Sequence, residues 1–424
     1  MSFKNWTGET FVYQTRAIWP MAARWWARRT LRRLLFGPKR SSGAWRGRER
    51  PAWDYHRRIV NDRKCFVVVA PGLERAAVKE ARALGFRGLK EVAGGVEIQG
   101  GLEAGMRACL WLRCATTVRL RIGRFRASDR RALAQGLAEI QWQSWLPPDG
   151  RVPVSCTARK SRLHHTGMLA EAVARAAGRR LVKSSSGVHL RLHRDEAEIS
   201  LDLAGERLHL RGWRKEGGPA PLRETLAAGI LYLVGWRTEE PLIDPMCGSG
   251  TLPIEAALIS ARIAPGLNRR FAFESMPLFD ASLWEALVDE ARSATRPRQE
   301  GRIIGSDRHR GSVASSLRNA ERAGVAELTN FERLDVSAVR PPSGSTAGVV
   351  VTNPPYGARI GGGRDEAMNV YRALGATIEE RFEGWRCFVL APDRRLAEAT
   401  GLNVDEGLLL DNGGMGVRLF RLSV

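Results

Sequence analysis

The first part of the chain alternates apolar runs with helical periodicity. CFVVVAPG, at residues 65–72, is an apolar run that stops at Pro and Gly, which predicts a buried strand. LERAAVKEARALGF follows with apolar residues at helical spacing, and a Gly-Gly turn then precedes the strand GVEIQG. We therefore expect a compact strand–helix–strand unit that begins at Cys65.

A second unit is predicted between residues 112 and 210. Its elements are the strand VRLRIGRF, a helix from about Asp129 to Ile140, the strand VPVSCTA, a helix after Thr166, and the alternating strands GVHLRLHRD and EAEISLDLAG. This order indicates an α+β arrangement. The segment 212–221 is rich in Gly, Pro and charge, which predicts a hinge between domains.

After Leu222 the pattern changes to apolar strands that alternate with helices. The strands are PLIDP, RIIGSD, LTNFERLD, GVVVTNPP and CFVLAPD. Such an alternation predicts an α/β domain with a parallel sheet covered by helices on both faces. A late pair, LLLDNGGMG and VRLFRLS, is expected to close the sheet as an antiparallel hairpin.

Composition limits the class of protein. A chain of 424 residues fits two or three domains, and no apolar run approaches the roughly 18 residues that a membrane-spanning helix requires. The cysteines show no C-x-x-C pair and no spaced histidine pair, so we expect neither a metal site nor disulfides, and a cytoplasmic location. They are Cys65, Cys109, Cys114, Cys156, Cys247 and Cys387.

The net charge of +22 favours a polyanionic partner, most simply nucleic acid. Residues 1–60 hold 14 Lys or Arg against 3 Asp or Glu, which is half of the net charge in one-seventh of the chain. Their mixture of Trp and Arg followed by Gly and Ser predicts a short basic helix and then disorder. Three hypotheses stay open for this segment: an RNA-contacting arm, an overextended start with translation from Met21 or later, and an organelle-targeting sequence.

The strand at Leu242 breaks at a Gly-rich turn that feeds a helix. Glycines allow the backbone to approach a ligand closely, and a carboxylate at the strand end can accept hydrogen bonds from it. The turn predicts a nucleotide-type cofactor site, although an ordinary tight turn has the same pattern. Its residues are Asp244, Pro245, Met246, Cys247, Gly248, Ser249, Gly250 and Thr251.

Two more carboxylates end the following strands. Asp307 lies about one strand–helix–strand unit further on, where it could bind the hydroxyls of a ribose, and Asp335 could accept from an adenine amino group. Each could instead be a strand-end cap or a solvated carboxylate. Their order behind the Gly-rich turn favours the cofactor interpretation for both.

The most specific signal is Asn353-Pro354-Pro355-Tyr356, followed by Gly357. Two prolines exclude helix and further strand pairing, so the segment must leave the sheet in an extended shape. The Asn353 side-chain carbonyl and the Pro354 main-chain carbonyl could accept the two hydrogens of an exocyclic base amine, and Tyr356 could stack on the base. These are the predicted catalytic residues.

A basic loop, KSRLHHTG, is the candidate RNA contact. Arg159, Lys160, Arg162 and His165 could bind phosphates, or they could form a merely solvated loop. The pair His164-His165 is interpreted as part of this basic surface rather than as metal ligands.

These phrases together resemble a known family: bacterial guanine-N2 methyltransferases of 23S rRNA that join a THUMP domain to a Rossmann-like methyltransferase domain, the RlmL type. VVVAPGLE, LWLRCATTVRLRIGRF, KSRLHHTG, PLRETLAAGIL, LIDPMCGSGTLPIEAALI and NPPYG carry the resemblance, which covers about residues 63–424. It implies a ferredoxin-like segment at 61–115, a THUMP RNA-binding domain at 116–211 and a Rossmann-like S-adenosylmethionine-dependent domain at 212–424.

The resemblance implies S-adenosylmethionine as cofactor and structured RNA, most simply 23S rRNA, as partner. It also implies that PLRETLAAGIL forms a helix over the cofactor. Three alternatives stay open: guanine-N2 methylation of tRNA, adenine methylation of DNA, and a catalytically silent RNA-binding assembly factor. Neither the nucleotide nor the oligomeric state follows from the sequence.

Overall fold

The computed structural model describes residues 62–148, 150–182, 187–216, 222–296, 302–356 and 363–423. They lie in one compact unit that spans Ile59–Val424. The basic segment 1–60, with its three open hypotheses, lies outside the described residues. Among the described residues, no helix has both the length and the apolar content that crossing a membrane requires.

The first half forms an eight-stranded sheet in the order β2-β3-β1-β4-β8-β7-β5-β6. The pairs are antiparallel except that β5 runs parallel to both β6 and β7. Its strands are β1 (Lys64–Val69), β2 (Lys90–Val92), β3 (Gly95–Gln99), β4 (Ala115–Arg126), β5 (Arg151–Arg159), β6 (Arg180–Val182), β7 (Val188–His193) and β8 (Glu196–Asp202). Its helices are α1 (Glu74–Ala83), α2 (Gly101–Trp111), α3 (Arg130–Ala138), α4 (Trp142–Trp145) and α5 (Thr166–Ala176).

One long strand joins the two units that the sequence separates. β4 begins at Ala115, pairs with β1 on one side and with β8 on the other, and so places both segments in a single sheet. The division into a ferredoxin-like segment at 61–115 and a THUMP segment at 116–211 stays a prediction.

The second half forms a sheet in the order β11-β10-β9-β12-β13-β16-β14, with β15 paired to β16. Its strands are β9 (Leu242–Asp244), β10 (Ile303–Asp307), β11 (Thr329–Arg333), β12 (Val349–Thr352), β13 (Arg386–Ala391), β14 (Asn403–Val404), β15 (Leu408–Asn412) and β16 (Met415–Ser423). Its helices are α6 (Glu224–Leu233), α7 (Thr251–Ser260), α8 (Ala281–Ser293), α9 (Arg310–Ala323), α10 (Gly363–Arg381) and α11 (Arg394–Glu398).

The strand directions confirm the predicted fold class. β9 to β13 are parallel, while β16 is antiparallel to β13 and forms a hairpin with β15. This is a Rossmann-like sheet closed by a terminal hairpin. The strand order reverses at β9, which has β10 on one side and β12 on the other, and such switch points are where open α/β sheets bind ligands.

Buried charges fix the first half of the chain to helix α7. Glu255 on α7 has no exposed side-chain surface, and its carboxylate lies 3.3 Å from Arg211 Nε and 3.7 Å from an Arg113 nitrogen. Arg113 also donates to the main-chain carbonyls of Leu258 and Ile263. The helix that follows the Gly-rich turn is therefore held by side chains that precede the second sheet.

The predicted hinge at 212–221 is described up to Glu216, and there it is anchored. The Glu216 carboxylate binds the guanidinium groups of Arg318 and Arg322 on α9, and Trp213 is buried. The Trp213 main-chain carbonyl accepts from Arg322 as well. This part of the connection lies against the second sheet's helices instead of forming a free link.

Candidate active site

Three strand ends meet at one edge of the second sheet. Residues of β9 pair with both neighbours, Ile243 with Ile304 of β10 and with Val350 of β12, and all three strands run in the same direction. Their carboxyl ends carry Asp244, Asp307 and Asn353. The residues predicted for cofactor and base therefore share one edge at the switch point of the sheet.

A single carboxylate oxygen joins the Gly-rich turn to the strand that carries Asn353. Oδ1 of Asp244 accepts from the Met246 N–H at 3.2 Å and from the Thr352 hydroxyl at 2.7 Å. Asp244 is 2% exposed, and this burial raises the pKa of its carboxyl to about 7, with a further upward contribution from Asp307. Thr352 directly precedes Asn353, so this contact holds the Gly-rich turn next to the start of the Asn-Pro-Pro-Tyr segment.

The two glycines of the turn have different surroundings. Gly248 (φ +55°) and Gly250 (φ +82°) both adopt the left-handed backbone that favours glycine. A Cβ on Gly250 would lie 3.0 Å from the Phe331 ring and from Ser316, whereas a Cβ on Gly248 would meet nothing within 4 Å. The turn is thus packed at Gly250 and open at Gly248, where a ligand can approach the backbone.

Asp307 is hydrogen-bonded to the Gly-rich turn, whereas Asp335 caps a short helical turn. Oδ2 of Asp307 accepts from the Gly248 N–H at 3.1 Å, and its Oδ1 accepts from the His309 N–H at 2.8 Å. Asp335 is exposed and caps a short 3₁₀ turn, accepting from the Ser337 N–H and hydroxyl, which hold the pKa of Asp335 below its ordinary value. Asp335 is therefore a cap in this structure, and its predicted contact with an adenine amino group stays a prediction.

Two buried polar residues of α9 support the turn, and the sequence did not point to them. The Ser316 hydroxyl donates to the Gly248 carbonyl at 2.8 Å, and the Asn319 amide donates to the Ser249 carbonyl at 3.0 Å. Both side chains are fully buried. Their three-residue spacing on one helix face is the available signal, but the sequence does not reveal that this polar face is buried against the turn.

The catalytic candidates leave the sheet as one stiff segment. Pro354 is buried, while Asn353 and Pro355 are half-buried; Gly357 lies outside the described residues. The Tyr356 hydroxyl donates to Oδ1 of Asn353. Tyr356 is 7% exposed, so stacking of its ring on a base requires more open ring surface than this structure presents.

The predicted RNA-contacting residues lie together on an exposed loop between β5 and α5. Arg159, Lys160, Arg162 and His165 are all exposed. The Arg162 N–H donates to the Asp195 carboxylate at 2.8 Å, which ties the loop to the turn between β7 and β8.

That turn adds cations which the sequence did not indicate. The Arg194 N–H donates to the Arg159 carbonyl at 3.2 Å, and Arg191 and Arg194 are exposed. Desolvation and the charges of Arg191, Arg194, Lys160 and Arg159 lower the pKa of His193. We use the name basic loop pair for the exposed basic residues of these two neighbouring segments, which are Arg159, Lys160, Arg162, His165, Arg191 and Arg194.

The described ranges contain no group of three or more His, Cys, Asp or Glu side chains that could hold a metal ion. Burial raises the pKa of the Cys247 thiol well above its ordinary value and that of Cys387 to about 12. Neither thiol is a ready nucleophile, since the thiolate is the reactive form.

Two family models match the chain. Residues 211–420 match the model described as an RMKL-like methyltransferase domain, and residues 64–119 match the RlmL ferredoxin-like domain.

Similar proteins are methyltransferases by name. The chain is 36% identical over 382 residues to the ribosomal RNA large subunit methyltransferase K/L of Syntrophotalea carbinolica, which covers 85% of this chain and 53% of that protein. The chain thus spans about half the length of the first curated relatives it matches. A putative RNA methyltransferase of Synechocystis sp. is 32% identical over 373 residues, covering 85% of this chain and 96% of that protein. A solved structure of a putative methyltransferase complexed with SAH matches with a TM-score of 0.76 at 28% identity, covering 85% of this chain and 98% of that one.

Proposed function

The chain belongs to the family of RMKL-like methyltransferases, and from this premise we propose that it transfers a methyl group from S-adenosylmethionine to N2 of a guanine in 23S ribosomal RNA. The observation that carries the proposal is the contact of Asp244 Oδ1 with both Met246 and Thr352. Because Thr352 directly precedes Asn353, this contact supports a site in which the Gly-rich turn is close to the acceptor groups of Asn353 and Pro354. The choice of guanine N2 in 23S rRNA rests on the family resemblance.

The residues of the turn fit S-adenosylmethionine. Gly248 leaves space on its Cα side, and the adjacent Asp307 is a candidate for binding the ribose hydroxyls. Asp244, buried next to the turn, would supply negative charge near a cationic ligand. When bound, S-adenosylmethionine supplies a methyl group on a sulfonium, from which a neutral thioether leaves.

The Asn-Pro-Pro-Tyr segment would orient the amine. A guanine amine is a weak nucleophile because its lone pair is delocalised into the ring, so positioning has to do most of the activation. Acceptance of the two amine hydrogens by Asn353 Oδ1 and the Pro354 carbonyl would turn the nitrogen lone pair toward the methyl group. As the new N–C bond forms, one of these protons leaves the nitrogen for solvent.

The basic loop pair is the part of the described chain best suited to grip RNA. Its cations are exposed and close to one another, and such contacts read phosphate and shape rather than base sequence. Two carboxylates lie close to these cations: Glu198 pairs with Arg191 at 3.2 Å, and Asp195 accepts from the Arg162 N–H. The choice of nucleotide would then come from how RNA shape presents a flipped base, in the cytoplasm where the ribosomal RNA is modified.

The test is identification of the product nucleoside. Purified protein is incubated with methyl-labelled S-adenosylmethionine and, in separate reactions, with 23S rRNA from a strain that lacks the gene, with tRNA and with DNA. We expect N2-methylguanosine in 23S rRNA alone, detected by nucleoside mass spectrometry, and a strongly reduced rate of labelling with Asn353→Ala.

The other outcomes would replace the proposal. Label in tRNA alone would assign the alternative RNA substrate, and N6-methyladenine in DNA would overturn the RNA assignment. No product, together with no heat of S-adenosylmethionine binding in calorimetry, would identify a catalytically silent assembly factor.

A further inference from the structure

The side chain of Asn353 is followed by two residues whose backbone cannot donate a hydrogen bond to it. An asparagine side chain commonly accepts from the main-chain N–H two residues further along the chain. Here the next two residues are Pro354 and Pro355, and proline has no N–H. The carbonyl oxygen of Asn353 must therefore find its donor on another residue, and the hydroxyl of Tyr356 supplies it.

The ring of Tyr356 is packed in the interior of the protein. Its side chain is 7% exposed and belongs to the buried core. Tyr371 of α10 is fully buried and lies near Tyr356. Its pKa is raised mainly by burial and further by the neighbouring Tyr356. The Tyr371 hydroxyl donates in turn to the Leu390 carbonyl of β13 at 3.0 Å. The phenol of Tyr356 is thus a packed group whose hydroxyl faces Asn353.

The backbone on either side of Asn353 is already fixed. Thr352 is bound to Asp244 at 2.7 Å, and the two prolines restrict the residues that follow. What stays free is the rotation of the Asn353 amide, a terminal torsion with a broad, roughly two-fold energy profile. Its two orientations are opposite in chemistry, because the oxygen accepts hydrogen bonds and the nitrogen donates them.

We propose that Tyr356 is a positioning residue whose hydroxyl fixes the Asn353 amide with its oxygen available to the substrate amine, and that this contact rather than ring stacking is its contribution to methyl transfer. The inference rests on the proposed function and adds a role for one hydroxyl group. Oδ1 has two lone pairs, so it can accept from Tyr356 and from the amine at once. In the flipped orientation the amide nitrogen would face the amine and oppose it, donor against donor.

The test is Tyr356→Phe, which keeps the ring and removes the hydroxyl. We expect kcat to fall about tenfold, the effect of losing one net hydrogen bond in the transition state. The KM values for S-adenosylmethionine and for 23S rRNA should stay within about twofold of wild type, because the contact orients the amide and does not bind either substrate. On an Asn353→Ala background, measured in single turnovers, Tyr356→Phe should cause no further loss.

Tyr371→Phe is the matched control. It also removes one buried tyrosine hydroxyl with a carbonyl partner, but that partner is the Leu390 backbone and not Asn353. We expect a comparable loss of thermal stability in both variants and a lower kcat in Tyr356→Phe alone.

Three results would overturn the inference. The first is a kcat for Tyr356→Phe within about twofold of wild type while Tyr356→Leu is inactive, which would assign ring stacking to Tyr356. The second is an equal loss of kcat in Tyr371→Phe, which would assign general packing, and the third is an undiminished further loss of kcat when Tyr356→Phe is added to Asn353→Ala. Full activity of Asn353→Ala itself would instead contradict the proposed function, so the two failures are distinguishable.

Discussion

Asp244 connects the Gly-rich turn to the strand that carries Asn353. Ionisation of its buried carboxyl should lower the stability of the fold. Burial raises the pKa of Asp244 from its ordinary value of 3.8 to about 7. The folded protein therefore binds this proton more tightly than the unfolded chain does. The stability that Asp244 contributes is fully present below pH 4, falls as the pH rises through about 7, and becomes level by about pH 8. The slope is about 1.4 kcal/mol per pH unit in the middle of this interval and half of that at the folded pKa, so the span from pH 5 to pH 7 corresponds to roughly 2 kcal/mol.

Asp244→Asn isolates this effect. The amide oxygen can still accept from Met246 and Thr352, but the side chain cannot ionise. Between pH 5 and pH 7 we expect the free energy of unfolding of the variant to rise by roughly 2 kcal/mol relative to wild type, with the difference levelling off towards pH 8. Urea denaturation at half-unit pH steps measures both proteins.

Asp335→Asn is the control for this experiment. The Ser337 hydrogen bonds hold the pKa of Asp335 below its ordinary value, so this group is ionised in the folded and the unfolded chain across the same range. Its difference from wild type should not vary between pH 5 and pH 8. A pH-independent difference for Asp244→Asn as well would refute the assignment of a buried, proton-binding carboxyl at the centre of the site.

Three further predictions concern the turn and the basic surface. Gly250→Ala should destabilise the fold because its Cβ would press on packed neighbours 3.0 Å away, and thermal unfolding measures this loss. Gly248→Ala should destabilise the fold less than Gly250→Ala does and should weaken S-adenosylmethionine binding, which calorimetry measures. Ser316→Ala removes a donor to the Gly248 carbonyl and should weaken S-adenosylmethionine binding by about fivefold without changing RNA affinity. Arg159→Glu with Lys160→Glu should weaken 23S rRNA binding and flatten its salt dependence by about one unit of slope per lost cation, measured by filter binding at several salt concentrations.

The fold could be predicted from local patterns because each parallel strand is a short apolar run with a turn signal at its end. Leu242–Asp244 and Val349–Thr352 are completely buried strands, and the sequence shows them as such. The order of carboxylates and the Asn-Pro-Pro-Tyr segment then predicted which strand ends would meet. The pairing of β4 with β1 on one side and with β8 on the other, which joins the two predicted units, was not visible, because both partners are distant from β4 in sequence.

The contacts inside the site could not be predicted from the sequence either, because the residues that form them are distant in sequence. The hydroxyl of Thr352 and the carboxylate of Asp244 are 108 residues apart, and nothing local links them. Ser316 and Asn319 are ordinary polar residues in a helical pattern, and burial alone distinguishes them. Asp335 serves as a cap in this structure, and its contact with the adenine amino group stays a prediction.

The central claim is that Asn353 acts on the base amine while the Gly-rich turn separately holds the methyl donor. The most direct measurement pairs calorimetry of S-adenosylmethionine binding with single-turnover methylation of 23S rRNA, both on Asn353→Ala. The account predicts a dissociation constant for S-adenosylmethionine within about twofold of wild type and a methylation rate at least about 100-fold lower, the scale on which loss of a positioning contact acts. Methylation at the wild-type rate by Asn353→Ala would contradict it.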